Sequence, residues 1–273
     1  MTAEQPRRVR PAAVAGMFYP GDPAQLEAMV RAELADAIAR QPVDDDRPPP
    51  HALVVPHAGY VYSGPVAASA YARVMRRRGE VTRVVLLGPN HRVPLRAMAL
   101  PSVDALATPL GLVPVDTAAR EALIGRPGVV VDDRPHADEH SLEVHLPFLQ
   151  VALGEGWSVV PVVVGQVPVG EVADLLELMW GGPETLVVVS TDLSHYHDQA
   201  TAQALDAATA AAVVARRWRD VEPERACGAF PLRGLLAEAE RRGLPVELLD
   251  LRTSGDTAGD QRRVVGYGAF TVG

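Results

Sequence analysis

The sequence predicts an α/β protein, a single domain in which helices flank a largely parallel central sheet. Short, uninterrupted apolar runs and helix-like stretches between them are the two observations behind this prediction. The runs are rich in valine and leucine and do not alternate with polar residues, as expected for strands covered on both faces. Four runs stand out, at residues 52–57, 83–91, 158–165 and 185–195.

Helix signals lie before and between these runs. The clearest starts at Asp22, whose side chain can cap a helix, with Pro23 at the first helical position. Residues 41–50 then indicate a surface connector, because too little chain precedes them to fold as a separate domain. The predicted helices cover residues 21–40, 64–79, 169–182, 198–220 and 227–243, and two further strands cover residues 245–254 and 264–273.

Composition excludes several classes of protein. The chain has 273 residues and a net charge of −8, without a basic stripe, which argues against a nucleic-acid partner and an anionic membrane surface. We find neither a signal-peptide core nor an apolar run near the ~20 residues that a membrane-spanning helix needs. A single cysteine allows no internal disulfide, so the expected location is the cytoplasm.

Three of the four runs end on a histidine, at the edge of a parallel sheet where ligands bind. These residues are His57, His91 and His195, and Asp192 lies just before the last. If the strands are neighbours, ~4.8 Å apart, the three side chains are within reach of one another. Each histidine alone is more typical of a structural or solvent-facing residue, but together they predict a site.

Cys227 is the fourth candidate, because it precedes a predicted helix whose dipole would stabilise the thiolate, the form that ligates metals. The alternative for a lone intracellular cysteine is a small buried apolar residue. A His–His–Cys set would form a metal site, with Asp192 and His195 as supporting or acid–base groups. Imidazole suits iron, copper and zinc, and a thiolate favours soft or redox-active metals. The spacing of these residues in the sequence does not identify which of these metals binds.

Residues 136–149, HADEHSLEVHLPFL, are the other dense polar stretch. If this stretch is helical from about His140, then His140 and Glu143 share a face and are candidates for a proton-transfer pair beside the site. An ordinary helix N-terminus with acidic residues in its first turn explains the pattern equally well. It is not the HExxH zinc helix, because His145 lies five residues from His140 rather than four.

The loops after the first two runs supply candidates for a substrate pocket. Tyr60 and Tyr62 either present a phenol to a substrate or pack with the hydroxyl at the rim. Asn90, directly before His91, is the third candidate. The chain contains no GxGxxG, Walker or GxSxG motif, so the sequence indicates neither a phosphate-binding loop nor a serine nucleophile.

Six motifs closely resemble, in order, those of the Memo family, whose bacterial and archaeal members are called AmmeMemoRadiSam system protein B. The motifs are RPAAVAGMFYPGD, PHAGYVYSGPVAASAY, LLGPNH, DEHSLEVHLPFL, STDLSHY and ACGAFPL. The resemblance runs from about Arg10 to the C-terminus, and it therefore implies an N-terminal tail of residues 1–9 and a single Memo-like domain of residues 10–273. The family is structurally similar to the class III extradiol ring-cleaving dioxygenases of the LigB type, which are non-haem Fe(II) enzymes.

The resemblance implies a metal site made by the histidines of PHAGY and GPNH and the cysteine of ACG, here His57, His91 and Cys227. Asp192 and His195, from the STDLSH motif, take the position of the dioxygenases' catalytic base. In the ring-cleaving enzymes the third ligand is a carboxylate rather than a cysteine. Ring cleavage itself is therefore not implied, because a thiolate changes the potential and the preference of the metal.

Three functions are compatible with these features. We favour a metal-dependent redox enzyme that uses Fe(II) or copper to activate oxygen, in which His195, oriented by Asp192, moves protons. The second is a non-catalytic binding or adaptor protein, because eukaryotic Memo proteins are regarded as adaptors for phosphotyrosine peptides. The third is a zinc hydrolase. The expected partner is a small molecule or peptide, and the family name implies a pathway shared with an AMMECR1-like protein and a radical SAM protein.

Overall fold

The computed structural model describes residues 8–44 and 46–273, so most of the predicted tail, residues 1–9, lies outside the described residues. Among the described residues, no helix has both the length and the apolar character needed to cross a membrane. The strands are β1 (Val9–Arg10), β2 (Ala52–Val55), β3 (Arg83–Pro89), β4 (Met98–Leu100), β5 (Ala105–Thr108), β6 (Gly111–Pro114), β7 (Val129–Val131), β8 (Ser158–Val164), β9 (Thr185–Ser190), β10 (His195–His197), β11 (Val246–Thr253) and β12 (Val264–Val272). The α-helices are α1 (Pro23–Arg40), α2 (Tyr60–Tyr71), α3 (Thr117–Leu123), α4 (Arg134–Ala137), α5 (His145–Leu153), α6 (Val169–Met179), α7 (Gln199–Val214), α8 (Ala229–Arg242) and α9 (Ser254–Thr257), and 3₁₀ segments cover Ala72–Arg77 and Trp218–Asp220.

The main sheet confirms the predicted α/β class. Its strand order is β10-β12-β2-β9-β3-β8-β4-β7, and β11 pairs with β12. The four strands β2, β9, β3 and β8 are parallel neighbours, and they are formed by the four apolar runs. Antiparallel pairs extend the sheet on both sides. A separate sheet of order β1-β5-β6 includes Val9, which the sequence had assigned to the tail.

Helices cover both faces of the main sheet, which explains the uninterrupted apolar runs. Along β3, Val84 and Leu86 pack in one hydrophobic cluster with α1, α2 and α5. Val85 and Leu87 point the other way, into a second cluster with α6, α7 and α8. Successive side chains of a strand point to opposite faces, so each parallel strand contributes to two cores.

The start of α1 agrees with the sequence prediction, whereas the start of α5 lies later in the chain than predicted. In α1 the Asp22 side chain accepts a hydrogen bond from the backbone N–H of Gln25 at 2.9 Å, as its capping role predicts. The helix expected from His140 begins only at His145. The Glu139 carboxylate accepts the backbone N–H groups of His140 and Ser141 at 2.9 and 3.0 Å, and residues 141–144 form turns. This local side-chain bonding competes with helix formation.

His136 is a buried histidine whose ionisation should make stability depend on pH. Its Nε2 lies 2.9 Å from the carbonyl oxygen of Ala99, and burial lowers the pKa of His136 to about 4. The unfolded chain binds a proton at this residue below about pH 6.5, whereas the folded chain does not until about pH 4, so stability falls as the pH drops through that window. Between pH 7.5 and 5 the loss from His136 should be about 2 kcal/mol.

Urea denaturation at both pH values measures this effect, with His136→Gln as the comparison, because glutamine keeps a donor and does not titrate. The difference in unfolding free energy between pH 7.5 and 5 should be smaller in the variant. An equal difference in both proteins would contradict the account of His136.

Candidate metal centre

The candidate ligands meet at the carboxyl edge of three parallel strands. β9 lies between β2 and β3, so His57 and His91 follow the two strands that flank it. The three strands are parallel neighbours, as the sheet-edge argument requires, and the two imidazole rings approach across the end of β9 to a centroid distance of 5.3 Å. His195 belongs to β10 rather than to the end of β9, because β9 ends at Ser190 and residues 191–194 form a connection to β10.

His57, His91 and Cys227 each offer one ligand atom, and these atoms all lie within 4.8 Å of one another. The Sγ of Cys227 is 3.4 Å from the Nε2 of His57. In a tetrahedral site with metal–nitrogen bonds of about 2.0 Å and metal–sulfur bonds of about 2.3 Å, neighbouring ligand atoms are roughly 3.5 Å apart. The three residues therefore fit a metal ion.

His57 is held so that one ring nitrogen remains available. It is 2% exposed, and its Nδ1 lies 2.6 Å from the hydroxyl of Ser190. The backbone N–H of His57 donates to Oδ1 of Asp192 at 2.8 Å. Burial, and then the neighbouring histidines, lower the pKa of His57 well below its usual value, which keeps the imidazole neutral. Neutral imidazole is the form that ligates metals.

His91 is held by Glu139, a residue that the sequence analysis missed. The Nδ1 of His91 lies 2.9 Å from Oε1 of Glu139, and its backbone N–H donates to Oε2 at 2.6 Å. Burial raises the pKa of Glu139, but the adjacent imidazoles of His140 and His91 outweigh it and hold the pKa well below the usual range. A carboxylate behind a ligating histidine fixes the ring and increases its basicity.

Cys227 lies two residues before α8. It forms hydrogen bonds with Asp192, just after the end of β9, both as an acceptor and as a donor. Its Sγ accepts the backbone N–H of Asp192 at 3.2 Å, and its own N–H donates to the carbonyl of Asp192 at 3.3 Å. Gly228 permits this approach, because a Cβ there would lie 2.4 Å from the carbonyl oxygen of Ser190. Burial and the Asp192 carboxylate raise the pKa of the thiol, contrary to the predicted helix effect, so a bound cation would have to displace its proton.

Asp192 contacts both His57 and Cys227, whereas the hydrogen bond of the His195 ring goes to Leu193 and not to Asp192. Oδ2 of Asp192 lies 4.0 Å from Nε2 of His57, and burial raises the pKa of this carboxyl. The Nδ1 of His195 lies 2.8 Å from the carbonyl oxygen of Leu193. Because a carbonyl only accepts, Nδ1 carries the proton and Nε2 is left as an acceptor. Leu193, rather than Asp192, therefore orients His195.

The predicted pair of His140 and Glu143 does not form. His140 stacks on His91 with ring centroids 4.9 Å apart, and so lies at the site. Glu143 points away, because the turns at residues 141–144 do not place the two side chains on one face. It is buried against the N-terminal segment, where it accepts hydrogen bonds from Arg10, the backbone N–H groups of Ala13 and Val14, and the hydroxyl of Tyr19.

The three substrate-pocket candidates have different environments. Tyr60 is buried and donates to the carbonyl of Val144 at 2.6 Å, which is a packing role. The Asn90 side chain bonds both backbone groups of Val93 and holds the turn after His91. Tyr62 is 41% exposed and remains accessible to a ligand. Phe18, which the sequence analysis did not single out, contacts His140 with ring centroids 4.6 Å apart.

Two further buried residues, Ser190 and His145, lie inside the STDLSHY and DEHSLEVHLPFL motifs, but nothing in the sequence indicated that they contact the site. Ser190 ends β9, and its hydroxyl contacts both His57 and His145. Burial lowers the pKa of His145 to about 3, so this ring is also neutral.

Comparison with known proteins agrees with the motifs. The family model described as Memo-like protein matches residues 10–271. A MEMO1 family protein of Methanopyrus kandleri is 39% identical over 285 residues, covering 96% of this chain and 98% of that protein. One from Sulfolobus acidocaldarius is 35% identical, covering 95% and 97%.

A solved structure, that of an uncharacterized protein from Escherichia coli K12, shares the fold alone. It has 14% sequence identity and a TM-score of 0.52, and the match covers 81% of this chain and 99% of that chain. The sequence matches carry the assignment, because the family model and the curated relatives span nearly the full chain. This chain belongs to the Memo family.

Proposed function

We propose that this protein is a metal-dependent redox enzyme of the oxygenase type, which holds Fe(II) or copper between His57, His91 and Cys227. One observation carries the proposal: three donor atoms lie within 4.8 Å of one another at the carboxyl edge of the sheet. Each histidine has its Nδ1 bonded elsewhere, to Ser190 or to Glu139, so each directs Nε2 to the common point. Ordinary surface histidines lack such support.

The donor chemistry supports a redox-active ion. Two imidazoles suit iron, copper and zinc, and the thiolate shifts the preference towards soft or redox-active ions. A bound ion of this kind would supply electron transfer and oxygen activation. Three protein ligands leave a position for a substrate or oxygen. A cytoplasmic location fits this proposal, because the reducing cytosol keeps a lone thiol available as a ligand.

Other side chains of the protein would move a proton, contribute charge and form the surface beside the metal. His195 accepts a proton at Nε2, because its Nδ1 proton is engaged by the Leu193 carbonyl. The buried carboxyl group of Asp192 lies 4.0 Å from Nε2 of His57, and in its ionised form it would favour a cation in the site. Phe18 contacts His140 and offers an apolar surface beside the site, suited to a small molecule or a peptide side chain, and Tyr62 is exposed on the same chain segment as His57.

Oxygen uptake by metal-loaded protein, with ascorbate as the reductant, tests the proposal. Protein loaded with iron or copper should take up oxygen faster than the same amount of free metal, whereas zinc-loaded protein should take up none, because Zn²⁺ has no redox chemistry. His195→Gln should keep the metal but react more slowly. No uptake above that of free iron and free copper would contradict a redox function.

A further inference from the structure

We propose that Ser190 is a positioning residue that fixes the proton of His57 on Nδ1 and thereby presents the Nε2 lone pair to the metal. This inference rests on the metal site of the proposed function, but it concerns a property of the metal-free protein. Ser190 is fully buried at the end of β9, between the strands that carry the two histidine ligands. The hydrogen-bond donors and acceptors around its hydroxyl determine where each proton lies.

Three groups lie within hydrogen-bond distance of the Ser190 Oγ. They are the Nδ1 of His57 at 2.6 Å, the Nε2 of His145 at 2.8 Å and the carbonyl oxygen of Ser141 at 2.7 Å. A serine hydroxyl has one proton to donate and two lone pairs that accept. The carbonyl can only accept, so it takes the hydroxyl proton, and both imidazoles must donate to the oxygen.

This arrangement fixes both histidine tautomers. His57 carries its proton on Nδ1, which leaves the Nε2 lone pair pointing towards Cys227, 3.4 Å away. His145 carries its proton on Nε2, so its Nδ1 must accept. A suitable donor is present there: the hydroxyl of Tyr71 lies 2.9 Å from that nitrogen. The hydrogen bond between Tyr71 and His145 therefore has the direction that the proton positions around Ser190 require.

The two ligating histidines are therefore supported by different chemistry. His91 donates to the Glu139 carboxylate, which carries a charge, whereas His57 donates to a neutral hydroxyl. Without the hydroxyl, the Nδ1–H of His57 would lose its acceptor in a buried position. The ring would then populate the other tautomer, whose Nε2–H occupies the position of the metal bond. Replacing Ser190 should consequently weaken metal binding, and this effect should act through the tautomer of His57 rather than through the other two ligands.

Long-range ¹H–¹⁵N NMR of histidine side chains in the metal-free protein tests the tautomers directly. In the wild type we expect His57 to be protonated on Nδ1 and His145 on Nε2. In Ser190→Ala we expect a mixture at His57 and an affinity for Zn(II), used as the probe metal, that is about 10–100-fold lower. Tyr71→Phe should leave His57 protonated on Nδ1, because the Ser190 oxygen is retained.

Ser69→Ala is the matched control, since Ser69 is also a buried serine but lies on α2 and donates to Asp250 at 3.0 Å. It should leave the tautomers and the Zn(II) affinity unchanged. A wild-type spectrum with His57 protonated on Nε2 would overturn the inference, even if Ser190→Ala failed to fold. So would a Ser190→Ala protein that binds Zn(II) as tightly as the wild type. If the wild type bound no metal, the proposed function would fail, and the tautomer spectrum would still decide the role of Ser190.

Discussion

Replacing Glu143 with alanine should lower the free energy of unfolding by about 3–5 kcal/mol, because it leaves the buried charge of an arginine without its carboxylate partner. The Nη1 of Arg10 lies 2.5 Å from Oε2 of Glu143, and their side chains are 8% and 0% exposed. The same carboxylate accepts the backbone N–H groups of Ala13 and Val14. Chemical denaturation of the metal-free protein measures the loss.

Two variants make the Glu143 result interpretable. Glu27→Ala breaks an ion pair with Arg31 whose side chains are 60% and 47% exposed, and it should cost no more than about 0.5 kcal/mol. Replacing both Arg10 and Glu143 by apolar residues, Arg10→Met with Glu143→Leu, should recover part of the stability. A Glu143→Ala protein as stable as the wild type would instead return Glu143 to the list of candidate acid–base groups.

Cys227→Ser should reduce the affinity for the bound metal by more than the 10–100-fold that is typical of changes behind a ligand. Serine is close in size, and its hydroxyl can still accept the Asp192 N–H that bonds the Cys227 sulfur. The substitution therefore removes the soft anionic ligand with little change in the surrounding structure. Competition with a chelator measures the affinity, and thermal unfolding of the metal-free variant verifies its fold. Unchanged metal occupancy would remove Cys227 from the ligand set.

The parallel core was predictable because each of its strands is an uninterrupted apolar run. Their order was not, since nothing in the runs states that β9 separates β2 from β3. The missed strands are short: β1 has two residues, and β4 and β7 have three each. Such segments are defined by the partners with which they pair rather than by their own periodicity.

The candidate ligand set followed from the sheet-edge rule and the family resemblance, whereas the residues behind it did not. Ser190 contacts His57 across 133 positions of sequence, and Glu139 contacts His91 across 48. Neither residue belongs to a motif that specifies its partner. Glu143 was misassigned for a related reason: its proximity to His140 in sequence suggested a helical pair, but its partners lie in the N-terminal segment.

The metal content of the purified protein tests the proposed centre directly. Elemental analysis would compare wild-type protein, purified anaerobically, with His57→Ala and His91→Ala prepared in the same way. We predict nearly one iron or copper ion per chain in the wild type and its loss in both variants. Zinc lost in the same pattern would redirect the function towards hydrolysis. A wild type without metal under every loading condition, or variants that retain it, would contradict the metal centre at His57, His91 and Cys227.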